Sequence, residues 1–164
     1  MSHEVAGARG RVGDPERTLE KAGRWASAHG VEVLLADSRT VFGRDHLESA
    51  IMHAQRAKDT GRMTAKSVAM ETIVYLSGKH QVADAIRAAG LRPETEAMAV
   101  VVFGDASAQD LLRELGWRRD DDVLSPEGKA LATLGITQTE ARTVPADRQH
   151  DLSLEKTALL DVLL

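Results

Sequence analysis

The sequence predicts a mixed α/β domain. Two short runs read as buried strands, Val31 to Ala36 and Ala97 to Phe103, and the second carries the unbroken Val100-Val101-Val102 of a strand covered on both faces. Around and between them lie segments of helical period, opened by capping residues and closed by glycines. With 164 residues, 43% hydrophobic and 28% charged, the chain has the size and balance of one globular domain spanning 1–164.

The elements follow in order. Asp14-Pro15-Glu16 is a helix start: Asp caps, Pro fits the first helical position, and Glu suits the positive end of the macrodipole. That helix should run to about His29 and stop at Gly30. After the first strand, Asp45-His46-Leu47-Glu48 has the pattern of a capping box, and Leu47, Ala50, Ile51 and Ala54 then line one helix face up to a stop at Gly61. Val68 to Leu76 is apolar nearly all round, which places a helix in the core, although Thr72 to Leu76 also fits a strand. Beyond the break Ser77-Gly78-Lys79-His80-Gln81, the residues Val82, Ala85, Ile86 and Ala89 mark the next helix, closed by Gly90. Ser107 to Leu115 is a helix stopped by Gly116. Asp120-Asp121-Asp122 reads as a solvated turn, Pro126 to Gly135 as a helix of weak period, Thr143 to Asp151 as a loop, and Leu152 to Leu164 as a helix that ends very apolar.

Composition excludes several functions. Without cysteine there is no disulfide framework, thiolate zinc site or cysteine nucleophile, which fits the cytoplasm as the expected location. No apolar run approaches the ~20 residues of a membrane span, and Met-Ser-His-Glu-Val is not a secretory signal. A net charge of −4 argues against a general nucleic-acid binder, but the charge is uneven: eight basic against five acidic side chains give +3 between Arg44 and Arg92, leaving −7 elsewhere. No Walker loop, Gly-x-Gly-x-x-Gly or Gly-x-Ser-x-Gly is present. His46 and His53 share a helix but stand ~10.5 Å apart along it, too far for one metal ion, and the other histidines are scattered. No metal, cofactor or small-molecule substrate is expected. The turn Gly104 to Ser107 is a strand–helix junction of a kind that holds ligands in α/β folds, so a small enzyme with its site there is one alternative.

Two surfaces remain. Arg56, Lys58, Arg62 and Lys66 flank the break before the core helix, and Ser77, Gly78, Lys79, His80 and Gln81 form the break after it. The second opens a helix, whose unpaired N–H groups favour an anion, so the two breaks would make one phosphate-binding face if the fold brought them together. A helix-turn-helix DNA-binding regulator is a competing use of the same segments, but the third helix turns Ala83, Asp84 and Ala88 outward, a poor set for reading base edges. The other surface is the C-terminal helix. Leu154, Ala158, Leu159, Leu160, Val162 and Leu163 are more apolar than one buried face needs, which marks either a partner site or a helix packed on both sides within the domain.

The run Gly61-Arg62-Met63, then Met70-Glu71-Thr72-Ile73-Val74-Tyr75-Leu76-Ser77-Gly78-Lys79-His80-Gln81-Val82-Ala83-Asp84-Ala85-Ile86, followed by a glycine and a hydrophobic strand, resembles the kinase-binding accessory subunits of the KEOPS complex, the family of human TPRKB and its archaeal counterparts. The ending Leu154 to Val162 is similar to that family's C-terminus, whereas Asp120 to His150 matches it poorly. The resemblance implies a small sheet with helices packed on it and a first strand at His3 to Ala8. It implies a non-enzymatic subunit that binds and stimulates the small kinase-like ATPase of the complex and meets the transferase subunit through it. Such a subunit recruits tRNA by its 3′ CCA end, so that threonylcarbamoyl is installed on the adenosine beside the anticodon. On that footing the two basic breaks would contact tRNA and the C-terminal helix would contact the kinase subunit. His80 stands where many members carry arginine, which weakens one phosphate contact.

Overall fold

Strand β3 (Ala97–Phe103) is the spine of the sheet, with β1 (His3–Arg9) on one side, β2 (Glu32–Asp37) on the other, and the two-residue β4 (Arg118–Arg119) on the free edge of β1. This computed structural model describes residues 2–163, except for the side chain of Leu163. The mixed α/β class holds, and within it the sheet is antiparallel throughout rather than mixed in strand direction. Because β3 lies between β1 and β2, the crossover through α1 (Pro15–His29) skips one strand position, a split βαβ arrangement. Alternation sends Ala99, Val101 and Phe103 to one face of the sheet and Met98, Val100 and Val102 to the other, and all six are buried.

Each face has its own helices. Trp25 of α1, Leu111 and Leu112 of α5 (Ala108–Leu115), and Trp117 cover the second face. The first face is covered by α2 (Arg44–Asp59), α3 (Val68–Ser77), α4 (Val82–Ala89) and Leu160 of α7 (Asp151–Leu163). A smaller core of Phe42, Leu134, Ile136 and Leu152 lies under the chain leading into α7. No helix among the described residues is long and apolar enough to cross a membrane.

Local signals set the ends of most elements. The Asp14 carboxylate accepts from Arg17 N at 3.2 Å, and Gly30 ends α1 in the left-handed region at φ 65°. Ser67 caps α3, of which every residue but Met70 is buried, so the segment Thr72 to Leu76 is helix and not strand. The expected capping box at Asp45 does not form. Leu124 O accepts from Gly43 N at 2.8 Å, Gly43 becomes the cap residue, and α2 starts before Asp45; Glu48 turns away to His3 Nε2 at 2.9 Å.

The stretch from 120 to 150 departs furthest from its sequence pattern. Asp120 caps a 3-10 turn at Asp121–Leu124 and pairs with Arg9, while Asp121 accepts from Gly7 N at 2.9 Å, so this run is bonded to β1 rather than merely solvated. The approach is close enough that a Cβ on Gly7 would lie 2.4 Å from Asp120 O. Only Leu131–Leu134, a 3-10 turn, forms within the expected helix at 126–135. A short helix α6 (Gln138–Ala141) forms where no element was read, opened by a capping box of Thr137 and Glu140. The Lys129 ammonium donates to Val41 O and Val123 O, both at 2.6 Å, and ties this stretch to the core; burial pushes it down to about 8, against the pull of Asp37.

His46 is fully buried in the first turn of α2, and its Nδ1 accepts from Phe42 N at 3.0 Å. Burial pushes its pKa from 6.5 down to about 4; a backbone hydrogen bond at Leu76 opposes the shift and Lys129 adds to it. The folded chain therefore keeps His46 neutral over a range in which the unfolded chain takes up a proton. Stability should fall as pH drops from about 6.5 towards 4, by on the order of 3 kcal/mol from this group. Denaturant unfolding across that range checks it: His46→Asn, which keeps an acceptor for Phe42 N, should show a flatter dependence than the parent, and an identical slope would place the titration elsewhere.

Candidate partner-binding surface

Helix α7 carries polar as well as apolar residues on its inner face. Its inward residues include Ser153 and Thr157, both fully buried, with Leu160 at 2% exposure. Its outward residues include Ala158, Leu159 at 43% and Val162 at 78%. Polar groups facing the domain are tolerated because each has a partner. Thr157 Oγ1 donates to Tyr75 O at 3.0 Å, and Ser153 Oγ to His150 O at 2.6 Å. Asp161 accepts from the Tyr75 hydroxyl at 2.5 Å and from His53 Nδ1. Burial alone would raise the Asp161 carboxyl, but the hydrogen bonds from Tyr75 and His53 outweigh it and hold the group below its usual value. Burial and the same carboxylate raise the Tyr75 hydroxyl.

The sequence-predicted apolar set therefore splits. Leu160 belongs to the domain's own core, and Leu154 is half-buried. Ala158, Leu159 and Val162 face solvent; the side chain of Leu163 lies outside the described residues. Leu159 and Val162 are three positions apart and share one face of the helix.

The basic residues also split. Arg56, Lys58, Arg62 and Lys66 are exposed around the start of α3, whereas Lys79, His80 and Gln81 lie at its end. Ten residues of helix hold the two breaks ~15 Å apart, so they are not one compact pocket. Helix α7 runs between them: Lys156 lies beside Gly78, where a Cβ would meet it at 3.7 Å, and Asp161 lies beside Tyr75 and Arg62. Lys156 thus joins the second break, a neighbour that no local pattern disclosed. Ser77 is turned inward at 1% exposure: its hydroxyl donates to Val74 O and accepts from Lys79 N. It closes α3 and has no free face for a ligand. Gln81 starts α4 without a side-chain cap, which leaves the first-turn N–H groups of that helix open as expected. The first break is shaped by Glu71, a fully buried carboxylate that accepts from Thr64 N at 3.0 Å and Ala65 N at 2.7 Å.

Other chemistry has less support. At the turn Gly104 to Ser107, Glu4 accepts from Ala108 N at 2.7 Å and already occupies the start of α5 where an anion would bind. Asp45, His150 and Asp151 come together with ligand atoms within 4.8 Å, a grouping invisible in their spacing. Asp151 is already paired with Arg148 and His150, and both carboxylates sit at helix starts, where a cation is disfavoured. A cavity of about 400 Å³ is lined by Phe42, Lys129 and His150 together with Glu127 and Asp147, charges that select no one ligand sign.

Comparison with known proteins identifies a family over a stretch that ends before α7. The family model described as "Kinase binding protein CGI-121" matches residues 16–142. A protein of Coccidioides immitis (strain RS) named "EKC/KEOPS complex subunit CGI121" is 33% identical over 75 residues, which span 46% of this chain and 36% of that protein.

The two sides of α7 should separate energetically. Leu160→Ala should cost roughly 2–5 kcal/mol in denaturant unfolding, as for a packed leucine, while Val162→Ala stays within about 0.5 kcal/mol of the parent. Similar losses at both positions would mean that Val162 is covered by the domain itself.

Proposed function

The chain belongs to the CGI-121 family of kinase-binding proteins, and we propose that it is a non-catalytic subunit of a KEOPS complex that docks on the kinase subunit through the outer face of α7. The observation that carries this reading is the outer face of α7, where Leu159 and Val162 stand together in water while Thr157 and Asp161 are hydrogen-bonded on the inner face. The exposed surface of Leu159 and Val162 adds no buried area to the domain itself; a partner that covers it would bury both side chains. The match to the named KEOPS subunit supports the identity of the complex.

The finer parts of the reading follow from the basic breaks. Arg56, Lys58, Arg62 and Lys66 at one end of α3 and Lys79, His80 and Gln81 at the other would hold tRNA, with the 3′ CCA end as its grip. Docking would stimulate the kinase subunit and bring the bound tRNA to the transferase subunit, which installs threonylcarbamoyl beside the anticodon. Two cationic patches ~15 Å apart suit a backbone of spaced phosphates better than one small anion.

Val162→Arg should fold with an unchanged melting temperature yet lose the kinase subunit in co-purification, because a charge would be desolvated without a partner. Its tRNA binding should persist. Lys79→Glu with Arg62→Glu should do the reverse, and affinity for intact tRNA should fall with rising salt and with removal of the CCA end. A folded Val162→Arg that still captures the kinase subunit rules out this docking face. Equal binding of intact and trimmed tRNA in a gel shift rules out the 3′ end.

A further inference from the structure

The outward presentation of Leu159 and Val162 needs an explanation. A helix rotates by 100° per residue, so a roll of one position would carry Val162 to the place of Asp161, Asp161 to that of Leu160, and Leu160 out of the core. The packing of Leu160 opposes the roll, and so does a cluster of polar contacts at the far end of α7. The Tyr75 hydroxyl, from α3, donates to one Asp161 oxygen at 2.5 Å, and His53 Nδ1, from α2, donates to the other. The two rings stack on each other, with centroids 5.3 Å apart and planes at 22°, so each fixes the other's aim. Tyr75 also offers its backbone carbonyl to Thr157, one turn earlier on α7. Among the described side chains of the last two turns of α7, Leu160 is the only apolar one that is buried. Arg62 lies on the open side of the same cleft, with Thr64, Tyr75 and Asp161.

We propose that Tyr75 and His53 are positioning residues for partner docking: by holding the Asp161 carboxylate they set the rotation of α7 that presents Leu159 and Val162 together. The proposal rests on the docking reading above. Neither ring needs to touch the partner. Asp161 is charged at neutral pH and keeps both hydrogen bonds charge-assisted, which makes them stronger than neutral ones. The docking face is thereby prepared before the partner arrives, and the ordering of α7 is not left to the binding step.

Tyr75→Phe is the decisive variant, because it keeps the ring, its volume and its stack on His53 and removes only the hydroxyl. If Tyr75 acts by packing, phenylalanine replaces it without loss. If it acts through Asp161, two readouts move. Hydrogen exchange of amides 157–163 in the free protein should accelerate by about tenfold while the amides of α2 and α3 keep their rates. Affinity for the kinase subunit of the same genome, coexpressed and purified as the probe, should fall by about tenfold with little change in melting temperature. Adding Tyr75→Phe to Asp161→Ala should cause no further loss, since the hydroxyl then has nothing to hold. Unchanged affinity in Tyr75→Phe overturns the proposal, whether or not exchange accelerates; faster exchange alone would show that the contact serves only the fold. Val162→Arg, which leaves the cluster intact, distinguishes the two claims. If it still binds the kinase subunit, the docking face itself is wrong; if it fails to bind while Tyr75→Phe binds as the parent does, the face is right and the positioning role is wrong.

Discussion

Helix α3 is the constraint to which the rest of the structure answers. It is apolar on nearly every side, and a helix of that kind must be covered all round. The sheet covers one side with Leu34, Ala36, Val101 and Phe103, α2 and α4 flank it, and α7 closes over the remainder. The few polar groups that α3 carries are each answered: Glu71 by the backbone of the loop at Thr64 and Ala65, Thr72 by Val68 O, Ser77 by its own last turn, and Tyr75 by Asp161. An unpaired group at any of these places would cost ~1–3 kcal/mol, so the bonds fix where the neighbouring segments must lie.

Function follows from the last of these bonds. Because α7 meets α3 through Tyr75, its inner face carries Thr157 and Asp161 beside Leu160, and Leu159 and Val162 stand outside. One helix therefore completes the core with Leu160 and leaves Leu159 and Val162 in solvent. The ends of α3 carry the cationic breaks, so the same short helix sets their spacing. The outer face of α7 and the cationic breaks are thus neighbours held at fixed distances.

What the sequence disclosed was local. Asp14-Pro15 and Gly30 bound α1 within the residues that form it, and the valine run of β3 announces a strand buried on both faces. The apolar girth of α3 was plain as well, and the first strand followed from the family resemblance. What it withheld depends on partners far away in the chain. Asp121 is fixed by Gly7 and Lys129 by Val41, so the stretch from 120 to 150 has little period of its own. Counting leucines in the C-terminal segment could not assign sides, because the groups that α7 meets, Tyr75 and His53 among them, lie 86 and 108 residues from Asp161. Packing against distant elements likewise turned Leu160 inward, whereas the bonds of Ser77 are local, to Val74 O and from Lys79 N.

The account stands on the outer face of α7 being the surface that the kinase subunit covers. Methyl NMR of the labelled protein, titrated with the unlabelled kinase subunit, observes that surface directly. Exposed methyls elsewhere serve as internal controls: Leu19 on α1 is 51% exposed and Ile86 on α4 is 44% exposed. The account predicts that the methyl signals of Leu159 and Val162 shift or broaden at equimolar kinase subunit while those of Leu19 and Ile86 stay in place. Perturbation centred on Ile86 or Leu19, with Leu159 and Val162 unmoved, would contradict it.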